Sequence, residues 1–99
     1  MVDLADEFEW DSAKSDWTFR TRGFDFATAA LVFDDIYIEQ EDEREDYGET
    51  RYIVTGVVGD LMLVLIVVWT PRAHKRRIIS ARLAEPKERE EYGRFRGAL

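Results

Sequence analysis

Four cationic side chains fall within eight residues at Lys75-Arg76-Arg77-Ile78-Ile79-Ser80-Ala81-Arg82, the densest source of chemistry in the chain. Arginine presents a planar fork of N–H donors that matches phosphate oxygens and can offset charge developing at phosphorus. The segment is apolar enough between its charges to form a strand. Regular alternation then points Lys75, Arg77, Ile79 and Ala81 one way and Arg76, Ile78, Ser80 and Arg82 the other. Only a bulge would bring Arg77 and Arg82 to one face. Arg77 is the phosphate-facing choice, and Arg82 is divided between the rim of a site and an ion pair with Glu88 or Glu91. The same charges also suit an edge strand protected against aggregation.

Other groups can join this strand. Arg51 can extend a phosphate clamp or pair with Glu49. His74 is the single histidine, and its unperturbed titration near neutrality makes it a candidate general acid or base, although a turn histidine is more often solvated. Tyr92 can donate to phosphate or stack on a base, but its spacing from Arg89 and Arg96 also fits packing. Trp10, Trp17 and Trp69 are assigned to the core. The run Glu39 to Asp46 has no ordered ligand spacing for a cation and reads as a solvated loop or a docking surface for a basic partner. With no cysteine, the chain has no disulfide, thiolate nucleophile or zinc-thiolate cluster. No cofactor is indicated.

The elements that position these groups follow from patterning. Phe8-Glu9-Trp10 alternates as a short strand, and Asp11 supplies an N-cap for a helix running to Arg22, closed by Gly23. Asp25 caps a second helix with Phe26, Ala29, Ala30 and Phe33 on one stripe. Ile36 to Ile38 is β-prone. Arg51 to Val58 and Leu61 to Thr70 form strands joined by a tight turn at Gly59-Asp60, and Pro71 ends the second. A turn around Arg72 to His74 leads into the basic strand. Pro86 opens a closing helix from Lys87 to about Arg96. The expectation is one α+β domain over residues 1–99, an antiparallel β-sheet carrying two N-terminal helices and one C-terminal helix.

Composition sets the surroundings. The chain is 45% hydrophobic and 13% aromatic over 99 residues, sufficient for a core. Its net charge of −7 is unevenly placed. Residues 1–50 hold 16 acidic and 4 basic side chains, against 5 and 10 in residues 51–99. A local basic patch can therefore bind phosphate while the remaining surface repels it, which implies a shaped site. The acidic N-terminus lacks a signal pattern, and the nine-residue apolar run from Leu61 to Trp69 is about half of the roughly 20 residues that a membrane span needs. The cytoplasm, without membrane insertion, is the expected location.

Read in order, Phe8-Glu9-Trp10-Asp11 with Ala13-Lys14, then Gly23, Phe26, Ala29 and Val32-Phe33-Asp34-Asp35, then Glu49-Thr50-Arg51-Tyr52 with Gly56, then Arg77-Ile78-Ile79-Ser80-Ala81-Arg82 and Glu91-Tyr92, resemble the BrnT toxin family. The resemblance runs from Phe8 to Tyr92. It implies a RelE-like fold and the toxin of a bacterial type II toxin-antitoxin pair, a metal-independent endoribonuclease that halts translation. It also implies neutralisation by a BrnA-like DNA-binding antitoxin in a two-plus-two complex, with operator DNA reached only through that antitoxin. Arg22, Arg51, Arg77 and Arg82 are then the phosphate-handling group, with His74 and Tyr92 as helpers. The family usually shows Lys-His-Gly where this chain has Thr21-Arg22-Gly23. Arg22 can hold phosphate, but a guanidinium keeps its proton and cannot act as a base near neutrality. That departure opens an alternative, a catalytically weakened binding module acting with its antitoxin in operon repression.

Overall fold

The Asp11 carboxylate begins the helical part of the chain, accepting hydrogen bonds from the backbone N–H groups of Ala13 at 2.8 Å and Lys14 at 3.2 Å. In the computed structural model, which describes residues 7–98, β1 (Phe8–Trp10) leads through this cap into α1 (Ser12–Arg22). Gly23 then takes φ 88° and donates to the Phe19 carbonyl, the left-handed closure for which glycine is suited. Residues 1–6, including most of the acidic segment read as lacking a signal, lie outside the described residues, as does residue 99.

The expected second helix is shorter than its apolar stripe. Asp25 caps it through the Thr28 N–H at 2.9 Å, but α2 (Phe26–Ala29) makes one turn and tightens into a 3₁₀ segment, Ala30–Asp34. The tightened segment presses Val32 onto the sheet at Gly56. A Cβ on Gly56 would lie 2.9 Å from that of Val32, so glycine permits the approach.

The strands are β2 (Tyr37–Glu41), β3 (Tyr52–Val58), β4 (Leu63–Arg72) and β5 (Lys75–Leu83), and α3 (Pro86–Gly97) closes the chain. Sheet order is β1-β5-β4-β3-β2. The architecture is α+β as expected, but the sheet is mixed, because β1 runs parallel to β5 while the other pairs are antiparallel. After β1 the helices carry the chain to the far edge at β2, and the successive reversals back bring β5 alongside β1. The β3–β4 turn also differs from expectation. Gly59–Leu61 forms a 3₁₀ turn, and Met62 carries the positive φ of 56°. Pro71 lies within β4 opposite Arg76, near its end, where the missing N–H is tolerated.

The core lies between α1, α2 with its 3₁₀ extension, and one face of the sheet. Phe26, Ala29 and Val32 meet Val54, Leu65, Val67 and Ile78, all at most 2% exposed. Trp69 belongs to this core and Trp10 packs against it, whereas Trp17 is 48% exposed. The assignment of Trp17 to the core is therefore corrected: α1 turns Ser15 and Thr18 inward instead. Ser15 Oγ accepts from the Phe26 N–H at 3.0 Å, and Thr18 Oγ1 donates to the Lys14 carbonyl at 2.8 Å, which satisfies both hydroxyls locally.

The acidic run is also more ordered than a solvated loop. Asp42 is buried, and its carboxylate accepts from Arg44 Nε at 2.8 Å, Arg44 Nη2 at 2.7 Å and Tyr47 Oη at 3.1 Å. The Arg44 guanidinium holds this carboxyl well below the usual carboxylate range. Among the described residues, no helix is long and apolar enough to cross a membrane.

Candidate nucleic-acid interface

The decisive local feature is a bulge in β5. Trp69 pairs with Ile78 and the adjacent Val68 pairs with Ser80, so Ile79 is the extra residue. Alternation resumes one residue out of step, which places Arg77, Ser80 and Arg82 together on the sheet face opposite the helical core. The separation expected for a regular strand is thereby removed. Arg76, by contrast, lies on the core side, with its guanidinium carbon 4.4 Å from the Phe33 ring centroid and 5.0 Å from that of Trp69.

Two concavities share the arginine-bearing face. The smaller, about 210 Å³, is lined by Lys14, Glu49, Arg51, Thr70, Arg72 and Arg77, among others. The larger, about 550 Å³, has Arg22, Gln40, Arg44, Ser80, Arg82 and Glu88 in its wall above an apolar floor that includes Ile53, Ile66 and Val68. The four arginines assigned to phosphate thus fall into two pairs, Arg51 with Arg77 and Arg22 with Arg82. Sequence reasoning placed no cationic role on Arg44 or Arg72. Arg72 has a legible signal in its register, two residues beyond Thr70 on the same face of β4, whereas Arg44 sits in an acidic run that hides it.

Each of these arginines is positioned by a polar or aromatic partner. Arg77 Nη1 donates to Glu9 Oε2 at 2.8 Å, which ties β5 to β1. Arg51 Nε donates to Glu49 Oε2 at 3.0 Å and its guanidinium lies 4.1 Å from the Tyr47 ring centroid. Arg72 reaches the other Glu49 oxygen at 3.8 Å. Arg82 makes a two-pronged pair with Glu88 at 2.8 and 3.0 Å, so it has the helix partner anticipated for it while still lining the larger concavity. This guanidinium lowers the Glu88 carboxyl to about 2, and the carboxylate raises Arg82 in return. Arg22 Nη1 donates to the Ala81 carbonyl at 2.7 Å. A guanidinium has five N–H donors, so these contacts orient the groups and leave capacity for phosphate.

The two proposed helpers lie elsewhere. His74 is exposed in the β4–β5 turn and lines neither concavity. Tyr92 is 3% exposed, donates through Oη to the Ile36 carbonyl at 2.6 Å and accepts from Arg96 Nη1 at 3.0 Å. It pegs α3 to the segment before β2, which is the packing alternative. Glu49 is the carboxylate held between two arginines of the smaller concavity.

The face as a whole offers guanidinium groups at two places along one surface, with carboxylates at both. Such a surface can grip successive phosphates of one strand and offset charge at phosphorus. Comparison with curated proteins gives no match. The family profile described as "Ribonuclease toxin, BrnT, of type II toxin-antitoxin system" matches residues 10–88, a span that contains all of α1, the five-stranded sheet from Trp10 onward and every arginine of the interface, and the chain belongs to this BrnT family of type II toxin-antitoxin ribonuclease toxins.

Proposed function

We propose that this chain is one BrnT-like domain acting in the cytoplasm as a metal-independent endoribonuclease that cuts RNA and halts translation. A BrnA-like antitoxin neutralises it in a two-plus-two complex and carries it to operator DNA. The observation that supports this reading is the β5 bulge, which joins Arg77 and Arg82 to the face shared by Arg51, Arg72 and Arg22.

In this reading, the scissile phosphate sits in the smaller concavity. The ribose 2′-hydroxyl gives its proton to Glu49 as its oxygen bonds to phosphorus, and the bond from phosphorus to the 5′-oxygen breaks. Lys14 supplies a proton to that leaving oxygen, so the products are a 2′,3′-cyclic phosphate and a 5′-hydroxyl end. Arg51, Arg72 and Arg77 offset the charge gathered on the non-bridging oxygens. Arg22 and Arg82 hold a neighbouring phosphate at the larger concavity. His74 and Tyr92 take no part in proton transfer, for the one lies off the lining and the other has its hydroxyl engaged.

The test is cleavage of end-labelled RNA in chelator by the purified chain freed of its antitoxin. Cyclic-phosphate ends in the native protein, and their loss in Arg77→Ala and Glu49→Gln, are expected. A second reading, the non-cleaving binding module, is favoured by Arg22, which occupies the position of the family's usual histidine and bonds to a backbone carbonyl. RNA bound tightly and left intact would assign the chain to that reading, and growth arrest on expression would assign it to the first.

A further inference from the structure

The half-exposed Trp17 borders a third cavity, of about 330 Å³, between α1 and β5. It arises from the sheet's edge. β1 pairs with β5 only as far as Trp10 opposite Ile78, and beyond that point α1 lies alongside β5 in place of a strand. Ile79, the bulged residue, and Ser80 form one wall, while Ala13, Trp17 and Phe26 supply apolar surface and Arg22 the polar mouth. The lining is far more apolar than that of the two flanking concavities, and the volume is at the bottom of the roughly 300–1,000 Å³ range of small-molecule sites, room for one flat ring system.

Resting on the ribonuclease reading, we infer that this slot is a nucleobase subsite, in which a base of single-stranded RNA stacks on Trp17 while the flanking phosphates lie on the arginine face. Continuity is the first support. Arg22 and Ser80 line both the slot and the larger concavity, and Lys14 and Ile79 line both the slot and the smaller one. A strand crossing from one phosphate position to the other therefore passes the mouth of the slot. Charge is the second support, since cations at the mouth suit a ring carried on an anionic backbone. The third is the unspent indole. The Arg22 guanidinium lies 5.1 Å from its ring centroid and bonds to Ala81, so the ring is held beside the slot by a cation–π contact while about half its residue surface stays open. Aromatic platforms of this kind take any base by its π-face, and the slot walls then set which ring fits.

The test uses a non-cleavable 2′-O-methyl hexanucleotide and a set of the same oligonucleotide lacking one base at each position in turn. The native chain should bind the full oligonucleotide roughly tenfold more tightly than one member of the set, since stacking on an aromatic side chain contributes on that order. That difference should vanish in Trp17→Ala and persist in Trp17→Phe. Indole fluorescence of the native protein should be quenched by the full oligonucleotide and not by that abasic member, a readout independent of how the variants fold. Base-removal effects that are undiminished in Trp17→Ala would overturn the subsite while leaving the ribonuclease reading intact. Unchanged RNA binding with lost neutralisation by the antitoxin would also overturn it, in favour of a slot for a protein side chain. A native chain that binds no oligonucleotide overturns both.

Discussion

The helix-covered face of the sheet and the arginine-bearing face use the same strands, yet their side chains are satisfied by different means. On the covered face, Val54, Leu65 and Val67 are fully buried against Phe26, Ala29 and Val32, and stability comes from apolar area withdrawn from water. On the other, Arg77 and Arg82 are each held by a carboxylate from another element, Glu9 and Glu88, and Arg51 by Glu49 two residues before it. Such part-exposed pairs contribute little to folding. They fix geometry, and a phosphate can exchange for the carboxylate without disturbing the core. One face therefore carries the fold and the other is free to carry chemistry, which makes the two separable by mutation.

The largest effect is expected on the covered face. Leu65→Ala should lower stability by about 2–5 kcal/mol, the range for deleting a fully buried leucine, and urea unfolding measures it. Any RNA affinity retained by the folded fraction should equal that of the native chain. A folded, stable Leu65→Ala protein that has lost RNA binding would break the division between the faces.

Arg77→Ala should do the reverse. Removing one preorganised donor from a charge-stabilising site costs about 10²–10³-fold in rate, whereas losing a part-exposed ion pair costs at most about 1 kcal/mol of stability. Single-turnover cleavage of labelled RNA, compared with urea unfolding of the same sample, gives both numbers. Unfolding in place of inactivity would make the Arg77–Glu9 pair a structural tie between β5 and β1.

This contrast also explains what could be read from the sequence. The covered face was legible because burial leaves its mark on residue type: apolar, β-branched runs mark β3 and β4, and Asp11 and Gly23 bracket α1. The arginine group was legible as residue types, since the planar guanidinium fork suits phosphate, although the same charges also suit a protected edge strand. Its geometry was not. The bulge at Ile79 depends on how β5 meets β4, and no local signal states it. The parallel pairing of β1 has the same origin, since three residues carry no preference for a partner. Trp17 was misassigned because an aromatic beside the start of a fold is read as core by default, while Ser15 and Thr18 could be buried only by finding hydroxyl partners that sequence does not display. Asp42 was hidden in a run of like charges although Arg44 and Tyr47 satisfy it.

A smaller effect separates the faces by pH. The Glu88 carboxyl lies at about 2 in the folded chain, against 4.5 ordinarily, chiefly through Arg82. Between those values the native state binds fewer protons than the unfolded chain, so stability falls as pH drops from about 4.5 toward 2. Asp42, lowered by Arg44, adds to the same acid limb. Glu88→Gln should flatten the limb by about 1 kcal/mol or less, because the pair is part-exposed, and that loss should appear at neutral pH while stability near pH 2 stays almost unchanged. Unfolding followed across this range reads the difference, and an unaltered limb would assign it to Asp42.

The smallest stability effect, and the finest test, compares two neighbouring arginines. Arg76 is the charged exception on the covered face, stacked over Phe33 and Trp69, and its buried Nε has no hydrogen-bond partner. Arg76→Met gives up a cation–π contact of about 0.5–1 kcal/mol but also removes the unpartnered donor and keeps an apolar stem against the rings. The two changes oppose each other, so stability should move by less than about 1 kcal/mol and RNA cleavage should not move. Arg77→Met, one residue along, should keep stability and lose cleavage. If both substitutions reduced RNA affinity equally, their effect would be loss of net charge, and the alternation of β5 would play no part. A difference confined to Arg77 would show that the face on which a cation stands, set by the strand before the bulge, decides whether it serves the RNA or the core.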